Sequence, residues 1–141
     1  MSQYIPTALA AQVRTLAAGR CAFCQSAEAL MGVTFEIDHI IPLAAGGTTS
    51  AANLCLSCPT CNRYKAARTS GADPLSRQDV LLFRPGRESW TDHFAWNDDG
   101  ITIIGLTPSG RATIETLRMN RPVLLQMRRY WIALELHPPA V

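Results

Sequence analysis

The sequence of 141 residues has no apolar run near the ~20 residues that a membrane-spanning helix needs, so no such helix is expected. It has no low-complexity tract and no internal repeat, which argues against a repeat array or a disordered linker. Charge is scarce: 17% of residues are charged and the net charge is +2, far from a strongly basic nucleic-acid-binding composition. The stretch MSQYIPTALAAQVR lacks a basic leading region, and Gln12 and Arg14 interrupt its apolar part. It makes a poor secretory signal, and the expected compartment is the cytoplasm.

What remains is a globular composition, 48% hydrophobic, of a length that one domain can occupy. The small positive charge is unevenly spread. Residues 1–70 carry five Lys/Arg against three Asp/Glu, and residues 71–141 carry eight against eight. Near the C-terminus, Arg111, Arg118, Arg121, Arg128 and Arg129 face only Glu115 and Glu135. That stretch reads either as a solvated helix face or as a face for phosphate.

There are five cysteines, and four form two C-x-x-C pairs, Cys21/Cys24 in CAFC and Cys58/Cys61 in CPTC. In a cytosolic chain this pattern points to metal before disulfides. Zn²⁺ takes four thiolates in a tetrahedron, and each C-x-x-C turn offers two from one side. The pairs are farther apart than in a zinc ribbon, so an element must loop out between them. Cys55 is left over in NLCLSC, where it reads as a small buried residue, with a fifth or alternative ligand as the other reading.

Hydrophobic periodicity and punctuation give the elements. A helix is expected from Pro6 to Ala18, with Leu9, Val13 and Leu16 on one face and Gly19 as its stop. A strand follows from Val33 to Ile40, a loop over 43–53 turning at Gly46-Gly47, a strand from Leu54 to Ser57, and a helix from about Thr60 to Arg68. TSGADP, residues 69–74, reads as a linker between residues 1–70 and a second unit, 71–141. In that unit VLLF reads as a strand, and FAW and ITIIG flank a turn at Asn97–Gly100 as a hairpin. Thr107 caps a helix from Pro108 to Leu117. A last helix, Arg121 to Leu136, would bury Val123, Met127, Tyr130, Trp131 and Leu134. Trp90, His93, Phe94 and Trp96 are expected in the core, with His93 structural. The fold class is α+β.

Between the cysteine pairs stands EIDHIIPLAAGG, residues 36–47, with Asp38-His39 inside an otherwise apolar run. A zinc tetrahedron would pin the two strands to the following helix as a ββα unit. Asp38 and His39 at the first strand's end, Asn53 before the second strand and Asn62 at the helix start would then converge. None is a favoured core residue.

Cys21, Cys24, Asp38-His39-Ile40-Ile41-Pro42, Gly46-Gly47, Asn53-Leu54, Cys58, Cys61-Asn62 and Lys65 together resemble the HNH nuclease motif of the ββα-metal group, in its zinc-stapled form. The resemblance covers residues 21–68. More weakly, LFRP, W-x-x-HF-x-W and GLTPSGRATIETLRMNRP are similar to the tail of small stand-alone bacterial HNH proteins. Asn62 stands where the motif's third letter is often His, an HNN variant that occurs among active members. An amide oxygen is a harder ligand than imidazole, which would alter the choice of metal.

The resemblance implies a metal-dependent endonuclease acting on DNA, duplex in the first instance. His39, of a residue type that changes protonation near neutrality, suits the general base. Asp38 and Asn62 would hold one divalent cation, Mg²⁺, Mn²⁺ or another, with positions left open for water and phosphate. Asn53 would brace the loop near the base rather than touch the metal. Asp38 and His39 point to opposite faces of a regular strand, so a distorted strand end before Pro42 is expected to bring them to one site. Arg63, Lys65 and Arg68 are candidates for phosphate contact. Glu36 shares strand parity with Asp38 and reads as a solvent-facing carboxylate, or as an accessory to the metal. The other reading is a non-catalytic zinc-stapled module that binds nucleic acid or protein. A homodimer or a larger defence or mobile-element assembly stays open.

Overall fold

Residues 4–139 are described by a computed structural model. The chain divides into two units, Met1–Thr69 with Arg84–Arg87, and Ser70–Phe83 with Glu88–Val141. It is an α+β protein with small antiparallel sheets.

In the first unit, α1 spans Thr7–Ala17 behind Pro6, whose fixed φ and missing N–H suit a helix start. It ends at Ala18, in the left-handed region, one residue before the expected stop at Gly19. Val13 is buried, whereas Leu16 faces solvent. A short α2, Glu28–Met31, follows the first C-x-x-C turn. Glu28 Oε2 receives the Phe35 N–H and pairs with Arg14 at 3.2 Å. That capture of the Phe35 amide explains why β1 is Glu36–His39 and not the longer Val33–Ile40 stretch.

β1 pairs antiparallel with β2, Leu54–Ser57, in the register Asp38↔Cys55 and His39↔Leu54. All four residues of β2 are buried. The loop between the strands holds two 3-10 turns, Leu43–Ala45 and Ala51–Asn53. α3, Pro59–Lys65, follows with Cys58 as its cap and Pro59 in its first turn. It stops short of the expected Arg68 because Ala66 adopts φ 50, a left-handed backbone.

In the second unit, the segment read as a linker is instead a strand. β3, Ser70–Ala72, pairs with β4, Asp79–Leu81. Its small residues mark close packing: a Cβ on Gly71 would collide with Thr116 Oγ1. Asp73, fully buried, closes the turn by accepting from Leu75 N–H at 3.1 Å and Ser76 Oγ at 2.8 Å. Arg111 grips the same carboxylate through Nε and a terminal nitrogen, each at 2.9 Å. That fork, followed by the Leu75 and Ser76 donors, holds the Asp73 carboxyl well below the usual carboxylate range.

A carboxyl depressed by folding contributes stability that is whole above its unfolded pKa, about 4, and is lost as pH falls through its folded value. The urea midpoint of the wild type is therefore expected to drop between pH 5 and pH 3. Asp73→Asn is expected to have a lower midpoint at pH 7 and a flatter acid limb.

A short α4, Trp90–His93, leads into β5, Phe94–Trp96, paired with β6, Ile103–Gly105. α5 is Pro108–Leu117, with Thr107 Oγ1 receiving the Gly110 N–H at 2.9 Å as the sequence indicates. His93 is structural here, between Thr107 Oγ1 at 2.6 Å and Glu88 at 3.2 Å. α6 is Pro122–Ala133, and its buried stripe is Leu124, Arg128 and Trp131. Val123, Tyr130 and Leu134, expected inside, are exposed. Arg128 decides the rotation. It is completely buried, donating to Ile101 O, Asn120 Oδ1 and Met119 O, with its guanidinium 5.0 Å from the Trp96 ring centre. Arg128 is thus an internal fastener, and the half-buried Arg111 is taken up by Asp73.

Candidate functional site

The two C-x-x-C turns meet. The first is folded by the Arg20↔Ala27 bridge, by Cys21 N–H donating to Ser26 O at 2.9 Å, and by a left-handed Gln25. Ala22 N–H reaches Leu56 O at 2.8 Å and ties that turn to β2. The second turn is the start of α3, where Cys61 N–H points at Cys58 Sγ, 3.4 Å away. The sulfurs of Cys21, Cys24, Cys58 and Cys61 all lie within 4.8 Å of one another, and all four residues are buried. Cys24 Sγ and Cys58 Sγ are 3.8 Å apart. A zinc tetrahedron with bonds of about 2.3 Å has sulfur–sulfur edges of roughly that length.

The thiols are electrostatically opposed. Burial pushes Cys21 up, whereas donation from Cys21, then Cys58 and Cys61, pulls Cys24 down. Four converging sulfurs at this spacing form a four-cysteine zinc-binding cluster. Cys55 is not a member of it. Burial pushes its thiol up, as for an inert core cysteine.

Asp38 and His39 stand between the two cysteine pairs in sequence but take different partners. β1 keeps its ladder through His39, and Ile40 N–H continues it to Asn53 O at 2.8 Å. The strand end is therefore regular, without the distortion expected to turn both side chains to one side. Asp38 points toward α3, where Lys65 Nζ lies 3.0 Å from its Oδ2. That oxygen is buried. Burial raises the Asp38 carboxyl against the opposing pull of Lys65. His39 is buried, and its Nε2 meets Thr49 Oγ1 at 2.9 Å.

Asn53 is buried and fully engaged. Its amide nitrogen donates to Ile41 O at 2.9 Å and Thr48 O at 2.8 Å, and its oxygen accepts from Ile41 N at 2.9 Å. It thereby closes the loop that follows His39 and delivers Thr49. Gly47 makes this closure possible, because a Cβ there would collide with Ile41 O. Asn53→Ala strands three backbone groups, each worth about 1–3 kcal/mol if left buried and unpaired. The expected loss is several kcal/mol, partly recovered by water, read as a lower chemical-denaturation midpoint together with loss of protection at the Ile41 amide.

Asn62 stands at the middle of α3 and donates through Nδ2 to Glu36 Oε2. From sequence Glu36 reads mainly as a solvent-facing carboxylate; it is exposed, yet it holds Asn62. Its parity with Asp38 is the signal that could have found this contact, since both project from one side of β1 toward α3. Thr49 has no such signal, because only the folded loop brings it to His39. Arg63 and Arg68 are exposed. Lys65, expected beside them on phosphate, is a correction. It is 2% exposed and also donates to His39 O at 3.1 Å.

A cavity of about 340 Å³ in the same unit is walled by Val13, Leu54, Cys55 and Pro85 among others. Asp38, His39 and Asn62 are not among its lining residues.

By type, the Asp38 carboxylate and the Asn62 amide oxygen are hard-oxygen ligands of the kind Mg²⁺ or Mn²⁺ accepts; Asp38 Oδ2 faces Lys65 Nζ, and Asn62 Nδ2 donates to Glu36. No curated protein matches the chain. Residues 21–68, about a third of the chain, match the HNH endonuclease family. That matched segment carries the four-cysteine cluster, Asp38-His39, Asn53 and Asn62.

Proposed function

We propose that the protein is a metal-dependent endonuclease that hydrolyses phosphodiester bonds of DNA from a ββα-metal core formed by β1, β2 and α3. The reading rests on one observation above others: the family-matched segment carries Asp38 and His39 as neighbours in β1, with Asp38 Oδ2 buried against Lys65 and the His39 ring buried against Thr49. His39 takes a proton from the attacking water, and Thr49 fixes the ring through Nε2. Asn53 keeps the loop carrying Thr49 in place, as a positioning residue. Asp38 and Asn62 hold one divalent cation, Mg²⁺ or Mn²⁺. Such a cation supplies Lewis-acid stabilisation of the phosphate and the leaving oxygen. Arg63 and Arg68, exposed on and after α3, contact the duplex backbone. The protein acts in the cytoplasm, and a cut through both strands comes from a dimer or from successive nicks.

A second reading, a zinc-stapled module that binds nucleic acid or protein without catalysis, is favoured by the internal partners of the site. Asp38 is paired with Lys65, and Asn62 with Glu36. Supercoiled plasmid separates the two. Nicked or linear DNA appearing with Mg²⁺ or Mn²⁺ and vanishing with EDTA marks the enzyme. Intact plasmid with folded, zinc-loaded protein under every metal marks the module.

A further inference from the structure

Lys65 is the only lysine in the chain; the other twelve cationic Lys/Arg positions are all arginine. It is buried on α3, three residues after Asn62, and its ammonium faces both members of the Asp38-His39 pair. The two contacts differ in kind. Nζ donates to the neutral His39 O at 3.1 Å and lies 3.0 Å from the charged Asp38 Oδ2. Of the two, the carboxylate carries the charge that a divalent cation competes for.

An ammonium suits this arrangement better than a guanidinium. It is a compact charge on a flexible stem, able to drop one partner while keeping another, whereas an arginine fork clamps a carboxylate at two points. We propose that Lys65 is the resident counter-ion of the cation site: it neutralises Asp38 in the cation-free protein and yields that carboxylate when a divalent cation binds, while remaining bonded to His39 O. This rests on the reading of Asp38 as a cation ligand. Lys65 then has two consequences. It keeps a buried carboxylate from standing uncompensated, which is costly. It also sets a threshold for cation binding, because Lys65 must be displaced from Asp38.

The single lysine makes the test direct. Full-length protein labelled with [13Cε]lysine gives one side-chain signal, which reports Lys65 alone. Titration with Mg²⁺ is expected to shift that signal with the same midpoint as the calorimetric binding heat. In Asp38→Asn both the heat and the shift are expected to vanish, with zinc content and circular dichroism unchanged. Lys65→Met is expected to bind Mn²⁺ roughly tenfold tighter, since it removes a cationic charge 3.0 Å from the carboxylate. If Lys65→Met fails to fold, the Mg²⁺ titration of the wild type still decides. Asp38-dependent Mg²⁺ binding that leaves the lysine signal unmoved overturns the proposal and leaves the reading of Asp38 intact. Cation binding that survives in Asp38→Asn, or no binding of either Mg²⁺ or Mn²⁺, overturns both.

Discussion

Removing zinc with a strong chelator is expected to unfold the β1–β2–α3 region, with loss of amide protection at Ala22, Ile40 and Asn62. These amides donate to Leu56 O, Asn53 O and Cys58 O, so they report the first cysteine turn, the hairpin and the helix start. A structural zinc contributes on the order of 10 kcal/mol to a small domain. Little else here could replace it: β1 and β2 have four residues each and α3 has seven. Two-stranded sheets and helices this short are marginal alone.

Cys58→Ser is expected to have a similar effect, because it removes a ligand and also the sulfur that faces the Cys61 amide. Cys55→Ser is the control. It buries a hydroxyl at a cost of about 1–3 kcal/mol but leaves the metal in place. Zinc content measured per chain separates them: near one for Cys55→Ser, and well below one for Cys58→Ser. Equal zinc loss in both would move Cys55 into the ligand set.

The second large effect is on activity. His39→Ala is expected to lower the cleavage rate by about 10²–10⁴-fold, the usual contribution of a positioned general base. The fold should survive, because the residues that hold the loop and the zinc are elsewhere. Asn53 grips Ile41 and Thr48, and the four cysteines do not involve the imidazole. Thr49 loses the partner of its hydroxyl, so Thr49→Val in the wild-type background is the companion measurement. If the hydroxyl only orients the ring, Thr49→Val lowers kcat by far less than His39→Ala does, and shifts the pH–rate profile.

Much of the fold and of the zinc cluster is legible in the sequence because spacing dictates it. Two C-x-x-C turns can bring four thiols to one point, and the sulfurs do converge. Thr107 before Pro108 reads as a cap, and its hydroxyl does receive the Gly110 amide. The misreadings have physical causes too. TSGADP has linker composition, but its small residues admit α5 and its Asp73 is bonded by Arg111, 38 positions away. No local pattern carries that contact. On α6 a charged side chain reads as an outside one, although Arg128 is the core residue. Each position turns a helix by about 100°, so that one assumption puts Val123 and Tyr130 inside and leaves out Leu124, although Trp131 is buried as expected. Lys65 is misplaced for the same reason: its charge suggests phosphate, whereas its partners come from β1.

The most direct test of the endonuclease reading runs wild type and His39→Ala side by side on supercoiled plasmid with Mg²⁺, Mn²⁺ or EDTA, after both are shown to be folded and zinc-loaded. Metal-dependent nicked or linear DNA is expected from the wild type and almost none from the variant. Equal cleavage by the two proteins would contradict His39 as the base, and intact plasmid from both would contradict the nuclease itself.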